Sequence, residues 1–416
     1  MNNLSPFKLG DCIELFIDHR GKTPAKMGGG WVEQGVRVIS ALNVHSGFID
    51  NEESIRCVSY DIYKKWMTQD VKRDDCFIAS EGASLGENTI WDSDEKIVLG
   101  QRLYALRTKK DVLDPWYFAA YMQTKKFRSQ IDQISTGSTV FGISQPVLMN
   151  VVLLLPKIEE QRKIGKLYKS LKRKLENNLK IINELESMTK TLYDYWFLQF
   201  EFPNEEGKPY KSSGGKMVYN EELKREIPGG WEVSELLDLV DWITNSQPPK
   251  SDFKYFKESG YVRFIQNRDY DSSNHVTYIP FKKSLNIVDR LDILMDKYGD
   301  AGVVRYGLSG AFNVALAHIK PKNNFMREYI RSVLLSNSMY TYFHNSCMAS
   351  TRASLSEENL KKVYVVVPSE EILINYENKL SAIRNMVLKK QDENQELTSL
   401  RDFLLPMLMN GQVTFK

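Results

Sequence analysis

The stretch Val151-Val152-Leu153-Leu154-Leu155-Pro156 leads directly into a long amphipathic pattern, and the same order returns in Val363-Tyr364-Val365-Val366-Val367-Pro368. A short apolar run that ends at a proline predicts a buried strand. The copies stand 212 positions apart in a chain of 416 residues, and Gly137-Ser138-Thr139 corresponds to Ala349-Ser350-Thr351 at the same offset. The sequence therefore predicts the order globule, helix, globule, helix.

The repeat continues upstream in a weaker form. Phe7-Lys8-Leu9 is aligned with Trp231-Glu232-Val233, and the copies differ most where segment 80–86 stands against segment 297–302. A shared frame with different loops predicts two related modules that bind different targets.

Composition limits the class of protein. A chain of 416 residues with 42% hydrophobic residues is long enough for two globular domains, each with its own core. A net charge of +3 neither requires nor excludes a nucleic-acid partner. No apolar segment follows Met1, no run approaches the length of a membrane span, and the four cysteines show no paired spacing. These features predict a cytoplasmic protein without a membrane anchor, a zinc site or a disulfide framework.

Periodicity predicts that each globule mixes helices and strands, which makes the fold class α+β. The predicted strands of the first globule are 36–40, 76–80, 103–106 and 151–155, and those of the second are 262–266, 293–297, 315–319 and 363–367. Shorter helices are predicted at 115–123 and 328–335.

Two long helices carry apolar residues at alternating spacings of three and four, which is typical of a coiled-coil seam. Polar positions within such a seam often fix its register. The residues predicted to pair the helices are Ile164, Leu171, Leu175, Asn178, Ile182, Leu185, Leu192, Leu380, Ile383, Val387, Lys390, Asn394, Leu397 and Leu404. Because each helix leaves its own globule, antiparallel packing with an approximate two-fold axis is the simplest arrangement, and it predicts a spacer about 55 Å long.

The junction between the halves has the most distinctive sequence. Tyr195-Trp196-Phe197, the segment Gly207 to Val218 and Ile227-Pro228-Gly229-Gly230-Trp231 resemble the junction in specificity subunits of type I restriction-modification systems. The strand, proline and helix of each half, as in Leu153 to Gln161, are similar to the repeated region of that family. The resemblance covers the whole chain and is weakest within the globules.

This resemblance implies a DNA-recognition subunit without catalytic activity. Each globule would be a target-recognition domain for one half of a bipartite, asymmetric site in double-stranded DNA, and the helices would set the spacer and dock two methyltransferase subunits. The chain would bind no cofactor, because S-adenosylmethionine, ATP and Mg²⁺ would be bound by the methyltransferase and restriction subunits. The implied boundaries are recognition domains at 1–156 and 231–368, spacer helices at 157–200 and 369–412, and a connecting segment at 201–230.

Other classes of function stay open. A coiled-coil scaffold could join two protein-binding domains and bind no DNA. Asp75 with Asp94-Glu95-Lys96 resembles a nuclease metal site, although such triplets are common when 26% of residues are charged. Gln247-Pro248-Pro249-Lys250 only partly matches the Asn-Pro-Pro-aromatic pattern of adenine methyltransferases, and a proline-rich turn is the simpler interpretation.

Base edges are contacted best by Arg, Lys, Asn and Gln, and phosphates by Arg, Lys, Ser, Thr and backbone amides. On this basis the candidate DNA-contacting residues of the first globule are Arg20, Lys22, Thr23, Lys26, Asn43, Ser84, Ser138 and Thr139. Those of the second globule are Ser246, Gln247, Lys250, Gln266, Asn267, Arg268, Ser350, Thr351 and Arg352. Ordinary surface loops, including a surface pair between Arg268 and Asp269, are the alternative interpretation.

The first long helix also has an uneven charge. Between Gln161 and Lys180, eight basic residues stand against the single acid Glu176. This pattern indicates a solvated helix face, a surface for the DNA backbone or a contact with an acidic partner subunit.

Overall fold

A computed structural model of the chain describes residues 4–135, 141–271, 275–348 and 354–413. The chain divides into two compact units. Unit 1 comprises Met1–Leu179 and Asp392–Lys416, and unit 2 comprises Lys180–Gln391. Both units mix helices and strands, which confirms the predicted fold class.

Unit 1 combines short strands and helices with parts of two long helices. Its strands are β1 (Ser5–Lys8), β2 (Ile13–Asp18), β3 (Val36–Ile39), β4 (Val44–His45), β5 (Phe48–Ile49), β6 (Arg56–Val58), β7 (Cys76–Ala79), β8 (Asn88–Ile90), β9 (Val98–Leu99), β10 (Leu103–Thr108) and β11 (Val152–Leu155). Its helices are α1 (Leu9–Cys12), α2 (Tyr60–Trp66), α3 (Pro115–Met122), α4 (Lys125–Ile134), α5 (Gln145–Met149) and the first part of α6 (Ile158–Tyr193).

The central sheet of unit 1 has the strand order β2-β10-β7-β8 and is antiparallel. A second sheet, β6-β3-β9, contains the parallel pair of β3 and β9. Every residue of α3 is buried, and Tyr104, Tyr117 and Phe118 in the same core are inaccessible to solvent. Full burial of one such apolar side chain stabilises the fold by about 1.5 to 3 kcal/mol.

Unit 2 repeats this plan after a connecting hairpin. Its strands are β12 (Met217–Asn220), β13 (Arg225–Pro228), β14 (Glu232–Glu235), β15 (Val240–Ile243), β16 (Tyr261–Ile265), β17 (Thr277–Pro280), β18 (Ile287–Val288), β19 (Leu294–Asp296), β20 (Val304–Arg305), β21 (Gly310–Phe312), β22 (Leu316–Pro321) and β23 (Tyr364–Val367). Its helices are α7 (Leu236–Leu239), α8 (Arg327–Leu334), α9 (Asn337–Met348) and α10 (Glu370–Met409), and the last part of α10 belongs to unit 1.

The central sheet of unit 2 has the order β15-β22-β19-β20, and a neighbouring sheet of order β17-β16-β21-β18 contains the parallel pair of β16 and β21. These sheets match those of unit 1 strand for strand at the positions that carry the repeat. The strands predicted from periodicity are confirmed, with ends that differ by two residues or fewer. Apolar runs were sufficient for this result because each strand lies in a core.

The register predicted for the upstream end of the repeat is wrong by three residues. The amide N of Leu9 donates to the carbonyl O of Val151 at 2.8 Å, and the amide N of Leu236 donates to that of Val363 at 2.7 Å. Leu9 therefore corresponds to Leu236. The predicted alignment matched Phe7 with Trp231, but Trp231 precedes its strand and stacks on Phe202, with the ring centroids 4.7 Å apart.

The two long helices run antiparallel within each unit. In unit 1, Asn178 Nδ2 donates to Asn394 Oδ1 at 2.9 Å, while Tyr168 packs in one core with Leu408. In unit 2, Ile182 and Leu185 share a cluster with Val387 and Ile383, and the rings of Trp196 and Tyr376 are 5.6 Å apart. Residue numbers thus rise along α6 as they fall along α10.

The residues predicted to pair the helices differ in burial. The buried ones are Ile164, Leu171, Leu175, Asn178, Ile182, Leu185, Leu380 and Val387, and the partly buried ones are Leu192, Ile383, Lys390, Asn394, Leu397 and Leu404. Two charged residues that the pattern did not single out for burial, Lys172 and Arg384, are only 3% and 2% exposed. Within the described ranges, no helix is both long enough and apolar enough to cross a membrane.

Candidate functional site

One edge of the central sheet in unit 1 collects the ends of several strands. Asp18 at the end of β2 pairs with Tyr104, and Ala79 at the end of β7 pairs with Leu103, so both strands end beside the start of β10. β3 and β9 are parallel and end side by side. The segments that leave the sheets here are 19–27, 40–43, 80–86 and 100–102, and we call them edge 1.

Unit 2 has the corresponding edge. β22 begins beside the end of β19, where Leu316 pairs with Asp296, and β15 is the other neighbour of β22. The parallel strands β16 and β21 also end together. The segments that leave here are 244–250, 266–270, 297–302 and 313–315, and we call them edge 2.

Matching backbone hydrogen bonds show that the two edges have one frame. The amide N of Gly100 donates to Ile39 O at 2.7 Å, and the amide N of Asn313 donates to Ile265 O at 2.9 Å. Ile143 N donates to Ser80 O in unit 1 as Leu355 N donates to Lys297 O in unit 2. The repeated segment before β11 and β23 therefore also reaches the edge. The candidates within it, Ser138, Thr139, Ser350, Thr351 and Arg352, lie outside the described residues.

The loop after β2 holds its cations in specific positions. Arg20 forms a two-pronged ion pair with Asp18, with Nε–Oδ1 and Nη2–Oδ2 distances of 3.0 Å, and its guanidinium lies 4.4 Å from the centroid of the Tyr104 ring. Lys22 Nζ donates to Trp66 O at 2.6 Å, and Lys26 Nζ donates to Gly21 O at 2.7 Å. Because carbonyl partners are neutral, these two lysines leave a net positive charge at edge 1.

Two other predicted residues of edge 1 serve the backbone. Thr23 Oγ1 accepts a hydrogen bond from Lys26 N, and the carbonyl O of Ser84 accepts one from Glu87 N. Ser84 is half-buried in the turn between β7 and β8. Both residues therefore help to fix loop conformation.

Asn43 is not on the surface. It is 2% exposed, and its Oδ1 accepts hydrogen bonds from the backbone N and the Oγ of Ser40, while its Nδ2 donates to Asn51 O and Ser54 Oγ. Ser40 and Asn43 form a capping box around the 3-10 turn Ala41–Asn43. Asn43 therefore stabilises the turn, and we do not include it in the candidate interface.

Edge 2 contains an equivalent capping box, formed by Gln266 and Asp269. These residues form a capping box around the 3-10 turn Asn267–Tyr270, and Gln266 Nε2 donates to Thr277 Oγ1 at 3.0 Å. Asp269 is buried, which raises the pKa of its carboxyl, and lies 3.9 Å from Arg263. Asn267 Oδ1 accepts a hydrogen bond from Asn313 Nδ2 at 3.4 Å.

Arg268 is the exposed member of this turn. Within the described parts of the chain, its guanidinium forms no hydrogen bond or close ion pair; its charge acts on the buried Asp269 carboxyl only as an electrostatic attraction at longer range. Ser246, Gln247 and Lys250 are also exposed, in the loop after β15. Asn245 anchors this loop because its side chain exchanges two hydrogen bonds with the backbone of Asn286.

Sequence reasoning missed several exposed residues at the edges, because three of them are apolar or aromatic. They are Leu42 (64% exposed) and Phe141 (55%) at edge 1, and Tyr298 (43%) at edge 2. Arg102 was also missed, and its Nε lies 3.5 Å from Glu81 Oε1. The signal available from the sequence was their position in the loops that differ between the copies.

Most of the basic stretch on α6 has partners inside unit 1. Arg173 pairs with Asp92 at 2.7 Å, Lys174 with Glu393 at 2.9 Å and Lys163 with Glu160 at 3.0 Å. Lys172 is buried. Lys169 lies 4.0 Å from Asp92 and 4.5 Å from the centroid of the Trp116 ring. The stretch is therefore largely a set of structural contacts, with Arg162, Lys166 and Lys180 as its other cations.

The carboxylates that resembled a nuclease site do not converge. Asp75 is buried and paired with Arg107 at 2.8 Å, Asp94 pairs with Arg73, and Glu95 pairs with Arg37. Each carboxylate is thus neutralised by a different arginine. The described residues contain no cluster of three or more His, Cys, Asp or Glu side chains that could hold a metal ion.

Comparisons with known proteins agree on one family. The model of the type I restriction modification DNA specificity domain matches residues 1–187 and 228–397. The chain is 26% identical over 321 residues to the type I restriction enzyme MjaIX specificity subunit of Methanocaldococcus jannaschii, covering 73% of this chain and 70% of that one. It is 21% identical to the type I restriction enzyme HindI specificity subunit of Haemophilus influenzae, covering 82% and 87%.

A solved structure has the same fold. The S subunit of a type I restriction-modification system from M. genitalium superposes with a TM-score of 0.64 at 13% identity, covering 98% of this chain and 96% of that one. This similarity extends over both units.

Proposed function

Because the chain belongs to the type I restriction-modification DNA specificity family, we propose that edges 1 and 2 are its DNA-recognition surfaces. Membership makes the chain a non-catalytic subunit and disfavours the scaffold that binds no DNA. Edge 1 belongs to a recognition domain at 1–156 and edge 2 to one at 231–368. Each reads one half of a bipartite, asymmetric site in double-stranded DNA.

A single observation carries this proposal. The two units build equivalent edges from equivalent strands, yet the loops on these edges present different side chains, such as Glu81 against Tyr298 and Leu42 against Arg268. Rigid elements that carry variable loops are how proteins usually vary specificity on a constant scaffold. Lysines whose hydrogen-bond partners are neutral carbonyl groups, such as Lys22 and Lys26, suit phosphate contacts.

The remaining subunits supply the chemistry in this proposal. Two methyltransferase subunits dock on the helices α6 and α10 and bind S-adenosylmethionine, and restriction subunits bind ATP and Mg²⁺. The helices set the number of base pairs between the half-sites. No residue of this chain is assigned to bind S-adenosylmethionine, ATP or Mg²⁺.

Replacement of one recognition domain tests divided recognition. The chain is expressed with its modification subunits in a host that lacks them, and the methylated motif is determined by sequencing. When residues 1–150 are replaced by the matching region of a relative, we expect one half of the motif to change and the other half to stay. A change in both halves, or in neither, would contradict independent recognition by the two units.

A second prediction concerns the isolated chain. Purified without other subunits, it should transfer no methyl group from S-adenosylmethionine to DNA and should leave supercoiled DNA uncut in the presence of Mg²⁺ and ATP. Methyl transfer should begin when modification subunits are added. Activity of a preparation shown by mass spectrometry to contain only this chain would refute the assignment of catalysis to partners.

A further inference from the structure

The turns at the two edges place different side chains at equivalent positions. The turn Ser40-Ala41-Leu42-Asn43 follows β3, and Gln266-Asn267-Arg268-Asp269 follows β16, so the third residue is Leu42 in unit 1 and Arg268 in unit 2. Both third residues are exposed, whereas the fourth is buried in each turn. The frame therefore presents one side chain to solvent at the same place in both units.

Both turns are held rigidly. In each, the fourth residue accepts a hydrogen bond from the backbone N of the first, at 3.0 Å in unit 1 and 3.2 Å in unit 2. The turn of unit 1 is also tied to the start of β10, because Ala41 N donates to Gln101 O. Gln101 Nε2 in turn donates to Lys22 O at 2.5 Å. A rigid turn costs little ordering entropy when it contacts a partner.

Neither exposed side chain makes a packing contact in an apolar core, a hydrogen bond or a close ion pair within the described residues of its own unit. Leu42 is 64% exposed and belongs to none of the apolar clusters of unit 1. Among the described residues, the guanidinium of Arg268 is exposed and forms no hydrogen bond or close ion pair, and it attracts the buried Asp269 carboxyl only at longer range. An exposed leucine and an exposed arginine, each on a rigid turn, are both available for contact with a ligand.

We propose that Arg268 and Leu42 are equivalent specificity residues that read different bases. Arg268 donates to O6 and N7 of a guanine in the half-site of unit 2, and Leu42 packs on the 5-methyl group of a thymine in the half-site of unit 1. The two N–H groups of an arginine guanidinium match the two acceptors, O6 and N7, that guanine presents in the major groove. The 5-methyl group of thymine is the apolar group that the bases present in the same groove. This inference rests on the proposed function and adds to it the base class that each turn selects.

Base analogues test both contacts in the complex with modification subunits. Binding is measured on a duplex carrying the methylated motif, with each guanine replaced in turn by 7-deazaguanine or each thymine by uracil. We expect one 7-deazaguanine in the half-site of unit 2 to weaken binding about 10-fold for the natural chain and not for Arg268→Ala. One uracil in the half-site of unit 1 should weaken binding about 3-fold for the natural chain and not for Leu42→Ala.

Sequencing of the methylated motif provides a second readout. Arg268→Gln should shift the preference at one position from guanine toward adenine, because glutamine pairs with N6 and N7 of adenine. The matched controls Arg225→Ala and Val147→Ala remove exposed side chains on the connecting hairpin and on α5, and they should leave every position unchanged.

The outcomes separate the inference from the proposed function. If the natural complex yields no bipartite motif, the proposed function fails. If the motif is bipartite but Arg268→Ala and Arg268→Gln retain every base preference, or weaken all sequences equally as a phosphate contact would, the inference for Arg268 is overturned. An equal response of Leu42→Ala and the natural chain to every uracil overturns the inference for Leu42.

Discussion

Residues 165 and 377 show that the two copies cap the N-termini of the equivalent helices α3 and α8 with different residues. In unit 1, Asp114 caps helix α3, because its Oδ1 accepts a hydrogen bond from Tyr117 N at 2.8 Å. A Cβ at Gly165 would lie 2.4 Å from that oxygen and 2.8 Å from the backbone N of Tyr117. At the 212 offset, Met326 stands for Asp114 and Glu377 for Gly165, and Glu377 Oε2 accepts a hydrogen bond from Glu328 N at 2.7 Å. The capping carboxylate has moved from the loop to the long helix.

This exchange predicts a compensating pair of substitutions. Asp114→Met should destabilise unit 1 by about 0.5 to 2 kcal/mol through loss of the cap. Gly165→Glu should cost about 1 to 3 kcal/mol because its Cβ clashes with the Asp114 carboxylate and with the Tyr117 backbone N, and Asp114→Met relieves only the first of these clashes. The double variant should cost clearly less than the sum of the two. Chemical denaturation measures this coupling in a double-mutant cycle.

The control for this cycle is Ser170→Glu combined with Asp114→Met, since Ser170 is exposed on the same helix. That pair should be additive. Additivity of the Gly165→Glu pair as well would mean that the carboxylate at position 165 does not replace the cap.

Residue roles were harder to predict than residue positions. Asn43 and Gln266 follow strands and have base-reading chemistry, but the structure uses both in capping boxes. The spacing of Ser40 and Asn43, three apart and both able to bond backbone amides, was a signal for such a cap. The exposed positions between them are indicated in the sequence only by lying in loops that differ between the copies, because solvent accessibility depends on how separate strands end together.

At the scale of elements, each long helix buries one cation against its own unit. Lys172 on α6 donates to Gly47 O at 2.7 Å, and Arg384 on α10 donates to the hydroxyl groups of Tyr306 and Thr189 at 3.1 and 3.3 Å. These two residues are related by the 212 offset. Arg384 also pairs with Glu328, which is fully buried. The two contacts therefore differ: Arg384 neutralises a fully buried carboxylate, whereas Lys172 does not.

This difference predicts unequal costs of neutralisation. Two arginines, Arg331 and Arg384, neutralise the buried carboxylate of Glu328. Arg384→Met removes one of them and should destabilise the fold by about 2 to 4 kcal/mol. Lys172→Met also removes an ion pair with Glu176, but that carboxylate is 35% exposed and remains solvated. Thr89 Oγ1 still donates to Gly47 O and the desolvation of the ammonium is relieved, so this variant should cost about 1 kcal/mol or less. Denaturation of the two variants under the same conditions measures the difference, and equal costs would contradict this account.

Lys172 also predicts a pH dependence. Burial lowers the pKa of its ammonium below the ordinary value, despite the attraction of Glu176. Between that lowered pKa and the pKa of about 10.4 in the unfolded chain, the unfolded state binds more protons. The natural chain should therefore gain stability relative to Lys172→Met as pH rises through this alkaline window. A stability difference that is flat or falls with pH would contradict the lowered pKa.

The elements themselves were largely predictable from the sequence. Apolar runs identified the core strands because burial on a sheet requires continuous hydrophobicity. Leu9 and Leu236 were misaligned because strand pairing across more than a hundred residues leaves no local pattern. The burial of Lys172 was also unpredictable, because it depends on the Gly47 carbonyl, which is 125 residues away in sequence.

At the scale of the whole molecule, the proposed function requires that two recognition events be coupled at a fixed spacing. α6 is continuous from Ile158 to Tyr193 and is the covalent connection from unit 1 to unit 2. α10 begins in unit 2 and ends in unit 1. The chain thus passes between its units only through helix, which predicts that helix length determines the spacer in the DNA site.

An insertion in both helices tests this prediction. Four residues of strong helix formers are added after Lys180 and four after Gln391, where the division into units falls. Each insertion lengthens its helix by about 6 Å, which is comparable to one or two base-pair steps of about 3.4 Å. Because the base-reading loops are untouched, the methylated motif should keep both half-sites and gain one or two base pairs between them.

Two further insertions show whether helix length is the cause. Four residues added after Gly207, in an exposed turn of the connecting segment, should leave the spacer unchanged because they lengthen neither helix. An insertion in α6 alone should reduce stability, since the unmodified α10 resists the shift, and should give a partial or mixed change of spacer. If the complex containing the double-insertion variant methylates DNA at the original spacing, the helices do not determine the spacer length, and the partner subunits must determine it instead.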